Sequence, residues 1–306
     1  MRLVIAGGTG FIGSVLCTRL VAEGHTLTVL TRGSPSTTIS PSKRWLTWEP
    51  GSAGAWEKAL EESLLGADGV INLAGEPIAA KRWTGAQKEK IRLSRVNTTR
   101  SLVNAIAKAK DKPKFLLNGS AVGYYGPHGD DPLAEEAGPG KDFLARVCVD
   151  WEEEAKKAER YGLRVIRLRT GIVLGKGGGA LTKMIPPFKS FIGGPLGTGK
   201  QWMSWIQLED EVGLILFLIQ NDRAHGAINA TASNPVTMKE FCKVLGRALH
   251  RPSWAPVPSF TLRILLGEMA DMLLTGQRVL PAQAQKLGYT FRHPTLDGAL
   301  KACLTP

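Results

Sequence analysis

Apolar residues open the chain in an unbroken run, Leu3-Val4-Ile5-Ala6, which Gly7-Gly8-Thr9-Gly10 stops. A run that short and without alternation predicts a strand buried on both faces. The spacing then changes: Phe11, Ile12, Val15, Leu16, Leu20 and Val21 recur with helical period as far as Gly24, predicting a helix and its stop. Residues 26–31 are β-branched and apolar, predict a second strand ending at Arg32, and give way to the Gly/Ser/Pro/Thr-rich loop 33–42. The same reading places strands at 45–48, 69–73, 114–119 and 164–170, with helical patterns at 55–65, 85–110 and 142–161 between them. Strand–helix alternation with short connections predicts an α/β fold built on a parallel sheet covered on both faces.

Beyond Gly175 the periodicity fades. Gly177-Gly178-Gly179, Pro186-Pro187 and Gly193-Gly194-Pro195 punctuate a stretch that reads as loop-rich structure on the substrate side. Helical patterns return at 208–220 and 237–249. A last one, Phe260 to Thr275, gathers Leu262, Leu265, Leu266, Met269, Met272 and Leu273 mostly on one face. Such a face caps a core, packs on a partner or touches a membrane surface, and the first is its commonest use.

Composition narrows the class. A chain of 306 residues, 43% hydrophobic and 22% charged, buries a substantial core as one large or two unequal domains. Its longest apolar run, 212–219, is too short to span a bilayer. The four cysteines lack metal-ligand or CxxC spacing, which points to buried thiols, a reducing compartment and no metal site. Met1-Arg2 leads straight into the first strand with no room for a cleavable leader, so the expected location is the cytoplasm, or an organelle stroma or matrix for a processed chain. The net charge is +12, and between Lys81 and Lys114 stand eleven Lys or Arg against Glu89 and Asp111. This basic stretch is either a solvated helix face or a surface that focuses anionic ligands. No zinc finger, RNA-binding signature or basic zipper accompanies it, so no nucleic-acid partner is indicated.

The chemistry begins at Gly8-Thr9-Gly10-Phe11-Ile12-Gly13, a GxGxxG run overlapped by Gly7-x-x-Gly10-x-x-Gly13. Between a strand and a helix, these glycines allow a tight turn, close approach of a pyrophosphate and close packing of helix on strand. The amides near Phe11 and Ile12 would face the phosphates at the positive end of the helix. At the end of the second strand, where an acidic residue accepts hydrogen bonds from the ribose of NAD(H), this chain has Thr31-Arg32. A guanidinium pairs instead with a 2′-phosphate, so NADP(H) is the expected cofactor, with Lys43 and Arg44 as further phosphate partners.

These residues, with Asn72-Leu73-Ala74-Gly75-Glu76-Pro77-Ile78, Lys81-Arg82-Trp83, Ser94-Arg95, Gly119 to Gly126, Trp151-Glu152, Arg169 to Gly175, Gly193-Gly194-Pro195 and Trp205-Ile206, resemble the epimerase-like family of extended or atypical short-chain dehydrogenase/reductases along essentially the whole chain. The resemblance implies a Rossmann-type doubly wound sheet over 1–174 and 205–232, and a smaller, mainly C-terminal substrate lobe over 175–204 and 233–306. It also implies that Leu73, Ala74, Gly75 and Arg95 stand near the cofactor, beside Gly7, Thr9, Gly10, Phe11, Ile12, Gly13, Thr31 and Arg32.

The chain departs from that pattern where chemistry is expected. The superfamily pairs a serine after the fifth strand with Tyr-x-x-x-Lys on the next helix, the lysine lowering the tyrosine pKa. Ser120 fits the serine, yet none of the four tyrosines has a lysine four residues on, and the expected helix reads Asp142-Phe143-Leu144-Ala145-Arg146. Gln207 stands where relatives carry histidine. The remaining candidates are Ser120 and Tyr125, with Arg146 or Lys141 as the cation, Asp142 as a helix cap, and Arg169 holding an anionic substrate or a structural carboxylate. Two functions follow: an NADP(H)-dependent oxidoreductase or epimerase-like enzyme acting on a small, possibly anionic, carbonyl or sugar-nucleotide-like substrate as monomer or homodimer, or a non-catalytic NADP(H)-binding regulator.

Overall fold

A computed structural model describes residues 1–33 and 41–305. Seven parallel strands form the central sheet: β1 (Arg2–Ala6), β2 (Thr26–Thr31), β3 (Lys43–Thr47), β4 (Gly69–Asn72), β5 (Phe115–Ala121), β7 (Arg164–Thr170) and β12 (Gly226–Ala230). Their order is β12-β7-β5-β4-β1-β2-β3, so the chain reverses its direction of winding between β1 and β4. The β1 run is apolar throughout because Leu3 to Ala6 are all buried, sandwiched between two helical layers. One face is closed by α1 (Phe11–Ala22) and α6 (Leu208–Gln220), the other by α2 (Trp56–Leu64), α3 (Gly85–Lys108) and α4 (Phe143–Lys156).

Caps fix where the long helices begin. Thr84 Oγ1 accepts from Gln87 N at 3.2 Å ahead of α3, and Asp142 Oδ1 accepts from Ala145 N at 2.7 Å ahead of α4. Asp142 therefore has the capping role its sequence position suggested.

Short strands build the rest: β6 (Pro132–Leu133) pairs with β14 (Arg278–Val279), β8 (Ile172–Gly175) lies between β9 (Gly178–Gly179) and β11 (Trp205–Gln207), and β10 (Trp202–Met203) pairs with β13 (Val236–Thr237). Residues 181–189, read as loop, form α5 (Leu181–Lys189); Pro186 and Pro187 in its second half hide the helix from a propensity reading. A second core joins α5, α7 (Met238–Leu249) and α11 (Leu296–Leu304) around Trp205 and Phe241.

The helix expected over 260–275 is broken. Gly267, at φ +61°, separates α8 (Ser259–Leu266) from a 3-10 turn and the short α9 (Asp271–Leu274). Leu262, Met269 and Ala270 are buried, while Phe260, Ile264 and Leu265 stand about two-thirds exposed, so this segment caps the core with only a few of its apolar residues. Ala284 of α10 (Ala282–Lys286) and Phe291 pack into the same core as α6, binding the C-terminal segment to the sheet. Among the described residues no helix is long and apolar enough to cross a membrane, and no cluster of potential metal ligands occurs.

Candidate functional site

The turn after β1 is shaped by contacts that exclude side chains. Gly7 has φ +81°, and a β-carbon on it would lie 2.6 Å from the Leu73 carbonyl carbon and 2.7 Å from Ala74 N. The first turn of α1 is equally close: a β-carbon on Gly13 would meet Gly7 O at 2.1 Å. Gly10 is different, since a β-carbon there would meet only Gly7 O, at 3.3 Å, and its remaining space is open. That opening belongs to a groove of about 310 Å³ running along the strand ends. Gly10 is also the N-cap of α1 and offers no side-chain cap, leaving the helix terminus to the groove.

Of the residues singled out from sequence, Gly7, Thr9, Gly10, Thr31, Arg32, Leu73, Ala74 and Gly75 line this groove together. Phe11, Ile12, Gly13 and Arg95 do not. Ile12 packs against the core behind the turn, and the Phe11 ring points at the β8–β9 hairpin, where a β-carbon on Gly178 would lie 2.3 Å from Phe11 Cδ2. Leu30, Trp48, Pro50, Pro77, Ser94 and Thr98 complete the lining; the sequence reading named Pro77 and Ser94 only as carriers of the resemblance and missed the other four. Trp48 and Pro50, just past β3, carried a signal in principle, an aromatic and a proline at a strand end on the nucleotide side.

Arg32 is exposed at the groove, close enough to Glu76 to help hold that carboxyl below its usual range. Burial opposes this lowering of the Glu76 pKa, and its bond to Lys90 carries it. Among the described residues, none that lines the groove is acidic. Lys43 and Arg44 are engaged elsewhere: Lys43 Nζ sits 4.5 Å from the Trp45 ring centroid, and Arg44 Nε donates to Thr28 Oγ1 at 3.0 Å.

The expected proton-transfer residues lie in a buried polar network. Ser120 Oγ donates to Glu152 Oε1 at 2.7 Å. Arg169 clamps the same carboxylate through Nε at 2.8 Å and Nη2 at 3.0 Å, and Arg167 Nη1 adds a bond at 3.0 Å. Tyr125 is fully buried; its hydroxyl donates to Asn229 Oδ1 at 2.7 Å and accepts from Arg169 Nη1 at 3.0 Å. Burial pushes the Tyr125 phenol up to about 12, against the lowering pull of Arg169. Neither hydroxyl is presented to the groove or to solvent.

Lys141 and Arg146, the expected cations, are both exposed, and Arg146 Nη1 turns back to Lys141 O at 2.7 Å, whereas the buried Tyr125 hydroxyl has Arg169 as its cation. Arg169 holds a structural carboxylate, Glu152, and lies with Cζ 3.5 Å from the Tyr124 ring centroid. Gln207 is buried and caps α6 by accepting from Glu209 N.

A doubly wound sheet with a glycine turn after its first strand defines a Rossmann-type dinucleotide fold. The chain belongs to the NAD dependent epimerase/dehydratase family, whose model matches residues 3–230; residues 257–303 match a domain of unknown function, DUF1731. It is 44% identical over 99% of its length to the chloroplastic SDR39U1 homolog of Arabidopsis thaliana, an epimerase family protein, covering 87% of that relative. It is 40% identical to the epimerase family protein YfhF of Bacillus subtilis, covering 98% of this chain and 97% of the other. A crystal structure of the human epimerase family protein SDR39U1 with NADPH superposes with a TM-score of 0.86 at 33% identity, covering 99% of both chains.

Proposed function

We propose that this protein binds NADP(H) in the groove after β1 and works as an oxidoreductase or epimerase-like enzyme by hydride transfer. The observation that carries this reading is Arg32 at the end of β2 in a groove with no acidic lining residue among those described. An NAD(H) site needs an acceptor for the ribose hydroxyls there, and a 2′-phosphate needs a cation. The NADPH in the human relative's structure supports the assignment. When bound, the cofactor supplies or accepts a hydride. The chain's own contribution is a phosphate cradle at Gly7 to Gly10 and the α1 terminus, the Leu73-Ala74-Gly75 backbone as a wall, and Arg32 for the 2′-phosphate. Residues 175–204 and 233–306 supply most of the substrate side.

Ser120 and Tyr125 serve this site by holding β5, α4 and β7 in register rather than by moving protons. Their commitment to Glu152, Asn229 and Arg169 also favours a second reading, an NADP(H)-binding regulator without turnover. Titration with NADPH and NADH tests the cofactor: NADPH should bind at least tenfold more tightly, and equal affinities would overturn the assignment. A screen of small carbonyl compounds and nucleotide sugars for NADPH oxidation decides between enzyme and regulator.

A further inference from the structure

The most exposed large apolar side chains fall in two stretches. Phe191 and Ile192 follow α5, and Trp254, Phe260, Ile264 and Leu265 run from the loop after α7 into α8; these are more than half exposed, and no other large apolar side chain among the described residues is. Hydrogen bonds lay the two stretches side by side. Trp254 N donates to Gly193 O at 3.1 Å, Val257 N to Pro195 O at 2.9 Å and Gly197 N to Val257 O at 2.8 Å, while Trp254 Nε1 donates to Phe191 O at 3.0 Å. α8 starts directly after Pro258, so Phe260 continues the strip. Exposure alternates along it: Pro252, Trp254, Pro256, Pro258 and Phe260 are exposed, and the residues between them are half-buried.

Phe191 holds its place against a conformational penalty. It follows Ser190, the C-cap of α5; its amide bonds to Phe188 O at 2.9 Å and that of Ile192 to Pro187 O at 3.0 Å, the pattern of a helix stop built on a left-handed residue. Glycine suits that position, yet here a phenylalanine stands at φ +64° with its ring largely in solvent.

The surroundings are basic. Residues 176–208 and 241–267 hold eight Lys or Arg and no Asp or Glu. Arg247 and Arg263 pair with Asp297 and Asp271 from outside those stretches. Lys189, exposed at the end of α5, and Arg251, whose Cζ lies 4.6 Å from the Phe191 ring centroid, have no ion-pair partner among the described residues. Exposed aromatic and aliphatic side chains flanked by unpaired cations complement a surface that is anionic at its boundary and apolar beneath. A two-fold contact with a second copy would instead set Lys189 and Arg251 against like charges. The amides of Phe191, Ile192 and Trp254 and the Trp254 indole N–H are already bonded within the chain, so this tip enters an apolar layer without stranding a donor.

We propose that Phe191, Ile192, Trp254 and the exposed side of α8 dock this protein on the surface of a bilayer containing anionic lipids, with Lys189 and Arg251 facing the lipid phosphates. The contact lies on the membrane and does not cross it. It is independent of the cofactor reading.

The test is flotation of the full chain with phosphatidylcholine vesicles made with and without phosphatidylserine. The chain should bind the anionic vesicles at least tenfold more tightly than the neutral ones, and NaCl should weaken the binding. Ile192→Ser and Trp254→Ser should each reduce it about tenfold, and Lys189→Glu about fivefold or more. Phe191→Gly separates docking from folding: it should weaken vesicle binding while the unfolding temperature stays the same or rises, because the left-handed position suits glycine. Absence of binding to anionic vesicles overturns the proposal. So does binding that Ile192→Ser, Trp254→Ser and Phe191→Gly leave unchanged, since the overall positive charge alone would then account for it. Sedimentation velocity without lipid gives the remaining outcome: a dimer that Trp254→Ser dissociates would assign the strip to a second copy and overturn the proposal as well.

Discussion

Glu211 shows how much a single buried group can cost this fold. It is fully buried in the first turn of α6, accepts one bond from Thr170 Oγ1 at 2.8 Å, and leaves Oε2 without a partner among the described residues. Burial pushes its pKa up to about 8, against the pull of Thr170. The folded carboxyl therefore stays protonated at pH values where the unfolded chain has ionised. Stability from this group is complete below about pH 4.5 and is lost as the pH rises toward 8. Glu211→Gln should be nearly neutral at pH 5 and more stable than wild type by about 2–4 kcal/mol at pH 8–9. Urea denaturation at the two pH values reads this directly, and a pH-independent difference would show that the carboxyl is ionised in the fold.

The residues of the buried network predict a different signature. Tyr125→Phe removes a hydroxyl shared by Asn229 and Arg169 and should cost about 1–3 kcal/mol of stability, while NADPH affinity stays within about threefold, a difference of under 1 kcal/mol. A large fall in affinity without loss of stability would place the phenol at the ligand. Arg32→Asp should do the reverse, weakening NADPH by about 1–3 kcal/mol through loss of a charge-assisted bond and addition of an anion, with little change in the denaturation midpoint.

At the scale of elements, the β8–β9 hairpin and the glycine turn form one unit, because the Phe11 ring occupies the space that side chains at Gly178 and Gly179 would need. Phe11 is the first residue of α1, so displacing its ring shifts the amides at the groove. Gly178→Ala should thus lower NADPH affinity by about tenfold although residue 178 does not line the groove. Gly85→Ala, where a β-carbon meets nothing within 4 Å, is the silent control for the same titration.

Elements were legible in the sequence where burial repeats with a clear period. The strand at 164–170 and the helix at 208–220 end where their patterns end. The reading failed where backbone details outweigh pattern: Gly267 breaks an apolar face that looked continuous, and two prolines hide α5. The glycine turn was legible because its geometry is local. The fate of Ser120 and Tyr125 was not, because it depends on Glu152, Arg169 and Asn229, brought together from three distant segments.

For the whole molecule the decisive quantity is charge, and its distribution differs from the impression left by residues 81–114. Lys88 pairs with Glu268, Lys90 with Glu76, Arg92 with Asp150, Arg100 with Glu154 and Lys108 with Glu61, so acids from other elements neutralise much of the basic stretch. The more exposed of those pairs, such as Arg92–Asp150 and Lys108–Glu61, add little stability individually. Their effect is to leave the net +12 spread over the molecule instead of concentrated on α3. On the proposed NADP(H) assignment a polyanionic ligand would be drawn by a broad field plus the local cation Arg32, and the two respond differently to salt. Raising NaCl from about 0.05 to about 0.3 M should weaken NADPH binding by about three- to tenfold, because screening removes the long-range part. Arg32→Asp should bind more weakly at every salt concentration and with a shallower salt dependence. Fluorescence titration of NADPH across the series measures both slopes, and an affinity insensitive to salt in the wild type would place recognition in hydrogen bonds alone.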